Sequence, residues 1–335
     1  MKKEKLLSVI IPNYNSGDLL KECISSIVIN MNKYVEVIVI DDGSTDNSLK
    51  KIDEFSDTVK IIRQTNSGVS SARNRGLKEA VGKYIMFVDA DDTLNQTWCN
   101  IVFQELSKDK DLIIFNYTKN DNKLDIIDAV KLLESEQLRG YKSKMLKLPT
   151  LYMTVWGKVF KRSIIVNNKI LFDERLNLAE DGDFMIQILL KTNSILLNNY
   201  ILYHYRNNSN SVMRTFNNNK VSNYLRAMKI SSCKIPSGSY LEEAFNFYVL
   251  MHLNVMMVHE VFDRANNISY LSKMKKLKRI LKTDIINNSL RKIRINKCKE
   301  KQTIPILLLK LKLYDIAALA FILRSKHNHE MITKK

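Results

Sequence analysis

Three carboxylates crowd the end of "YIMFVDADD", residues 84–92, where Asp89, Asp91 and Asp92 follow the apolar run Ile85, Met86, Phe87 and Val88. Two like charges about 4 Å apart repel by roughly 4 kcal/mol at an effective dielectric near 20. The acids must therefore splay into water or share something positive. Spaced i, i+2 at a strand end, Asp89 and Asp91 can share a hard divalent cation that binds through oxygen and keeps water and phosphate as its other ligands. Such an ion removes the repulsion and neutralises charge that builds on a leaving diphosphate. A second acidic group opens "LAEDGDFMIQILLK", residues 178–191, with Glu180, Asp181 and Asp183 ahead of a helical pattern. A carboxylate there can cap the helix or, held ionised by the helix N-terminus, act as a proton acceptor. Arg73 and Arg75 in "NSGVSSARNRGL", residues 66–77, supply positive charge on a helix between two strands.

The elements that position these residues are legible as alternating patterns. Short apolar runs at 6–12, 35–41, 59–63 and 84–89 read as buried strands, and 18–31, 46–55 and 68–81 read as helices. Strands alternating with helices predict an α/β fold, a largely parallel sheet covered on both faces. In such sheets ligands bind outside the carboxyl ends of the strands. "NYNSG" follows the first strand, "DDGSTD" the second and "ADD" the fourth, so three polar strand ends converge on one edge. Neither GxGxxG nor GxxxxGK[ST] occurs, which weighs against a dinucleotide enzyme or a P-loop NTPase. A nucleotide diphosphate would instead be handled by a divalent cation and arginine.

The chain has 335 residues, 45% hydrophobic and 26% charged, an ordinary globular composition. Its four cysteines form no CxxC pair and its five histidines no HExxH motif, so a zinc ribbon, a disulfide framework and zinc hydrolysis lack support. Lys2, Lys3 and Lys5 lead directly into the first strand, so no secretory signal is expected. The net charge of +18 is uneven: residues 1–205 hold 28 Lys and Arg against 27 Asp and Glu, and residues 206–335 hold 25 against 8. A neutral front (1–205) and a basic, mainly helical back (206–335) are expected, the densest charge lying in 273–301. Such a region attracts an anionic membrane face, a phosphate-rich acceptor or nucleic acid. Residues 304–323 form the most apolar segment, interrupted by Lys310, Lys312 and Asp315. No run there reaches the roughly 18–20 apolar residues a bilayer span needs. The segment reads as an amphipathic or core helix, packed in its own domain, on a sister subunit or in the membrane interface.

"VIIPNYNSGDLLKECISSI", "VIVIDDGSTDNS", "NSGVSSARNRGL" and "YIMFVDADD", in that order, resemble the inverting family 2 glycosyltransferases of GT-A fold, closely over residues 6–110. A looser echo from "TVWGKVFKRSII" to "AEDGDFMIQIL" extends the match to about residue 205. The resemblance implies a Rossmann-like GT-A domain, a UDP-sugar donor and transfer with inversion. It implies that Pro12, Tyr14 and Asp42 contact the uridine and that Arg73 lines the uracil and diphosphate pocket. Asp89 and Asp91 match the DxD motif. Asp91 would bind Mn2+ or Mg2+ directly, with Asp89 nearer the ribose or a metal-bound water and Asp92 toward the donor sugar. Asp181, second residue of the "ED" pair, would be the catalytic base, with Glu180 helping to hold the acceptor. Trp156 is either a sugar platform or a core residue. After the last strand, "YHYRNNSNSVM" offers Arg206 as a phosphate contact on a loop closing over the diphosphate. His204 there is either a metal ligand or a packed side chain.

These readings converge on a cytoplasmic enzyme, peripheral to the inner face of the membrane. It would add one hexosyl or N-acetylhexosaminyl unit to a lipid-linked or teichoic-acid-like acceptor in surface-polysaccharide synthesis. The basic region would meet acceptor, anionic membrane or sister subunits in a homo-oligomer. The alternative is a polyanion-binding protein, for instance of nucleic acid, with a degenerate nucleotide-binding domain. Few aromatics interleave the basic stretch for base stacking, which counts against it.

Overall fold

The computed structural model describes residues 4–120, 122–124, 126–206, 216–294 and 301–333. Contacts group the chain into two units, residues 1–141 with 154–208 and residues 142–153 with 209–335. The second unit thus takes in residues 142–153, which a single boundary near 205 leaves in the first.

The first unit is built on ten strands: β1 (Leu7–Asn13), β2 (Val35–Asp41), β3 (Val59–Arg63), β4 (Tyr84–Phe87), β5 (Thr93–Leu94), β6 (Leu112–Lys119), β7 (Asn122–Leu124), β8 (Lys131–Leu133), β9 (Lys158–Lys161) and β10 (Ile195–Tyr205). They form one sheet in the order β3-β2-β1-β4-β9-β6-β10-β5, with β7 on β6 and β8 on β10. β3, β2, β1 and β4 run parallel, as their alternation with helices predicts, while β9 enters antiparallel between β4 and β6. The sheet is flanked by α1 (Asp18–Val28), α2 (Val69–Glu79), α3 (Trp98–Leu106), α6 (Arg162–Asn167) and α7 (Glu180–Lys191), while α4 (Ser135–Lys147) runs from the first unit into the second and α5 (Pro149–Tyr152) lies in the second. This is the expected α/β architecture.

One predicted helix is shorter than its pattern. Within 46–55 only a 3-10 turn at Lys50–Phe55 forms, because Asp46 Oδ1 takes the Ser48 N–H and holds the chain in a turn. One face of the sheet buries Val9, Ile11, Val37, Val39 and Met86 against Leu20, Ile24 and Ile27 of α1 and Trp98 and Val102 of α3. On the other face α2 lies so close to β1 that a Cβ at Gly76 would stand 2.3 Å from Ile10 Cγ2. A residue other than glycine there would push α2, and everything it carries, off the sheet.

The second unit contains α8 (Lys220–Ser232), α9 (Glu242–Met256) with a π turn at Met257–Val261, α10 (Tyr270–Leu281), α11 (Asp284–Lys292), α12 (Ile304–Lys310) and α13 (Tyr314–Thr333). α9 is its centre, buried almost all round from Ala244 to Met256. The apolar segment 304–323 is two helices rather than one. No helix among the described residues is long and apolar enough to cross a membrane.

Candidate active site

The parallel strands end together. Asn13 at the end of β1 pairs in register with Asp41 of β2, and its Nδ2 donates to Asp41 Oδ1 at 2.9 Å. Pro12 is buried in β1 and Tyr14 stands half exposed just beyond it. Beside them Asp41, Gly43, Ser44, Arg63, Gln64 and Thr65 line an open cavity of about 450 Å³. Asp42, expected to contact a uridine, is occupied otherwise. Its Oδ1 accepts from Gln64 Nε2 (2.8 Å) and the Ser67 N–H (2.9 Å), and its Oδ2 from the Gly68 N–H (2.8 Å). It fixes the loop that starts α2.

That loop delivers Arg73. The buried face of α2 comprises Ser70, Ala72, Arg73, Gly76 and Leu77, so helical periodicity turns the guanidinium inward. Its Nη2 donates to Asp89 Oδ1 at 2.9 Å and its Nη1 to Asp181 Oδ1 at 2.7 Å, with Glu180 Oε1 at 3.4 Å. The Phe172 ring lies 5.3 Å below, pinned to α2 by Asn74 through two 2.9 Å bonds. Three carboxylates around it hold Arg73 firmly protonated. Arg73 is therefore the bridge between the two acidic groups rather than an open pocket wall.

Asp181 reaches the bridge because α7 is nailed down one turn later. Phe184 stacks on Phe172 (4.1 Å) and meets Phe87 and Phe160 edge-on. Asp181 Oδ2 accepts from the Val155 N–H at 3.3 Å. Burial pushes the carboxyl up to about 7; Arg73 opposes this and Glu180 and Asp89 add to it. The helix N-terminus favours the ionised form, and burial works against it. A carboxyl near 7 is suited to exchanging a proton at neutral pH.

The acidic loop is held from behind. Tyr203 Oη donates to Asp92 Oδ2 at 2.6 Å and accepts from the Asp89 N–H at 3.1 Å. Arg206 donates from its backbone to Asp92 Oδ1 (2.8 Å) and from Nε to the Asp91 carbonyl (2.6 Å), and pairs with Glu22. Asp92 is wholly buried, so it anchors the loop and does not reach toward a sugar. Arg206 Nη2 is buried without a partner among the described residues, a donor that a phosphate oxygen would satisfy. Residues 207–213 of the expected closing loop lie outside the described residues.

A divalent cation fits this loop. Burial, then repulsion from Asp89 and Asp91, pushes the Asp92 carboxyl up to about 8, although both of its partners are donors suited to a carboxylate. Positive charge beside Asp91 and Asp89 would resolve that conflict. Among the described residues no three His, Cys, Asp or Glu side chains group to hold a metal by themselves. Water and a ligand's oxygens would have to complete the shell. His204 is not part of it: its Nδ1 lies 2.8 Å from the Thr118 hydroxyl, and strand alternation puts it on the sheet face opposite Tyr203.

Trp156 is likewise taken. It stacks on Tyr203 (4.8 Å) and Tyr205 (5.5 Å), meets Tyr117 edge-on and is 8% exposed. It is a core residue supporting the Tyr203 hydroxyl. Sequence reasoning passed over Tyr203, and also Lys158, whose buried ammonium donates to Thr154 Oγ1 at 3.2 Å. Burial lowers Lys158 to about 7 while the Asp181 charge opposes. The alternation of "LYHYR" could have flagged Tyr203; nothing local flags Lys158.

The model of glycosyl transferase family 2 matches residues 8–167. The Escherichia coli glycosyltransferase YibD is 32% identical over 237 residues, covering 68% of this chain and 69% of its own. The chain belongs to glycosyltransferase family 2. Bacillus subtilis EpsJ, an uncharacterised glycosyltransferase, is 27% identical over 313 residues, 85% of this chain and 86% of its own. Among solved structures, S. aureus TarS 1-349 in complex with UDP-GlcNAc superposes with a TM-score of 0.70 at 19% identity, covering 96% of this chain and 92% of that one. The likeness in fold extends over nearly the whole chain.

Proposed function

We propose that the protein is an inverting, metal-dependent glycosyltransferase. It moves one hexosyl or N-acetylhexosaminyl unit from a UDP-sugar to a hydroxyl of a lipid-linked or teichoic-acid-like acceptor at the inner face of the membrane. The observation that carries the reading is the Arg73 guanidinium held between Asp89 and Asp181. It fixes a diphosphate-side acid and a base candidate in one rigid cluster. The donor class draws on TarS, solved with UDP-GlcNAc. The acceptor class draws on the poly(ribitol-phosphate) beta-glucosyltransferase of Bacillus spizizenii, 32% identical over 216 residues that cover 59% of this chain and 32% of that enzyme.

Asp181 takes the proton from the acceptor hydroxyl as that oxygen attacks the anomeric carbon from the face opposite UDP. The new C–O bond forms as the bond to the diphosphate breaks, and the proton stays on the carboxyl. Asp91, with Asp89, would hold Mn2+ or Mg2+, which supplies neutralising charge at the diphosphate. Arg206 Nη2 can donate to the same phosphates, and Arg73 keeps Asp181 in place while opposing its protonation. Incubation with UDP-sugars and a ribitol-phosphate polymer, read by proton NMR, tests this. A β-linked product from an α-linked UDP-sugar supports it; retention of the anomer, or no transfer from any UDP-sugar, overturns it.

A further inference from the structure

The helical unit carries an apolar surface built from none of the residues that meet at Arg73. α12 stops at Lys310 because Lys312 turns to φ +61° and the N–H groups of Lys312 and Leu313 return to Leu309 O (3.1 Å) and Leu308 O (2.9 Å). This is a Schellman turn with lysine where glycine is usual. The break lets α13 start in a new register, with Ala317, Ala318, Phe321 and Ser325 turned inward. Ile316, Leu319, Ile322 and Leu323 are then 53%, 55%, 37% and 59% exposed, and 316, 319 and 323 fall on one helical stripe. Beside them opens a groove of about 390 Å³, its apolar wall formed by Phe262, Ile268, Tyr270 and Ile322. Arg264, Lys273 and Lys326 also line it. Its one lining acid among the described residues, Asp263, is buried and bonded to His329 Nε2 (3.1 Å) and the Ala265 N–H (2.8 Å), and the neighbouring Asp315 accepts from the Tyr270 hydroxyl (2.8 Å).

We propose that this face docks the protein on an anionic lipid bilayer, Ile316, Leu319 and Leu323 entering the acyl boundary while Arg264, Lys273 and Lys326 meet lipid phosphates. Charge selects the occupant. A second copy seated by two-fold symmetry would bring this basic rim against itself. Nucleic acid would match the charge but offers no apolar phase for three exposed aliphatic side chains. The proposal gives the membrane-facing part of the proposed function a surface, and it is independent of the transfer chemistry.

Co-sedimentation of the full chain with vesicles of phosphatidylglycerol in phosphatidylcholine, against pure phosphatidylcholine, tests it. The wild type should sediment only with the anionic vesicles. Leu319→Asp with Leu323→Asp should weaken that binding about tenfold or more, and Lys273→Glu with Lys326→Glu should abolish the preference for anionic lipid. Both variants should bind UDP as the wild type does, so a failure here is distinguishable from a failure of the transfer reading. Wild type that ignores anionic vesicles overturns the proposal. So does an aspartate variant that sediments undiminished, or one whose main effect is to split a dimer in sedimentation velocity.

Discussion

At Asp181 burial and Arg73 pull in opposite directions, and burial prevails, leaving the carboxyl near 7. A base must be deprotonated to act, so kcat/KM should fall as pH drops below about 7, along a limb of unit slope. Asp181→Asn, which keeps the shape and removes the basicity, should lower kcat by about 10²- to 10⁴-fold with UDP affinity unchanged, as measured by UDP release and calorimetry. Equal activity would remove Asp181 from the chemistry. The position was legible in the sequence because an acidic pair precedes an apolar helical pattern. Its proton affinity was not, since that depends on its burial and on Arg73, 108 residues away. Asp92 shows the same limit: its type fits a ligand, but Tyr203, 111 residues later, makes it an anchor.

Between elements, α2, α7 and the loop after β4 are joined through one guanidinium. Arg73→Met would leave Asp89, Glu180 and Asp181 facing one another without a counter-charge. A buried pair broken on one side costs about 3–5 kcal/mol, and urea unfolding should show a loss of that size. A change under about 0.5 kcal/mol would mean the three acids relax into water. The acidic loop adds a pH signature. Asp92 stands near 8 in the folded chain against 3.8 for an ordinary aspartate. The proton it retains favours folding at low pH, and that contribution is lost as pH rises through 8. Without metal, Tm should therefore decline from about pH 5 to 8, and Mn2+ should raise Tm more at pH 8 than at pH 5. An equal rise at both pH values would place the cation away from this loop. The strands at 35–41 and 59–63 could be read to the residue because each is a bounded apolar run. The 46–55 helix could not, since Asp46 and Ser48 offer the backbone a turn that competes with helix.

For the molecule as a whole, the informative asymmetry is charge. Residues 206–335 carry 25 Lys and Arg against 8 Asp and Glu, on a unit without the acidic site groups. Raising salt from about 0.05 to 0.5 M shortens the screening length roughly threefold. KM for a phosphate-rich acceptor should then rise while KM for the UDP-sugar stays level. If both rise together, the basic unit has no separate part in acceptor capture. Composition disclosed this asymmetry directly. It did not disclose that the apolar segment 304–323 divides at Lys312, because a lysine in the left-handed conformation leaves no mark in hydrophobic periodicity.

Whether the acids after β4 form a nucleotide–metal site is decided by calorimetric binding of UDP with and without Mn2+ to wild type and Asp91→Ala. The wild type should bind UDP only in the presence of Mn2+, and Asp91→Ala should lose that binding. UDP binding that ignores both the metal and the substitution, or no UDP binding at all, would contradict such a site.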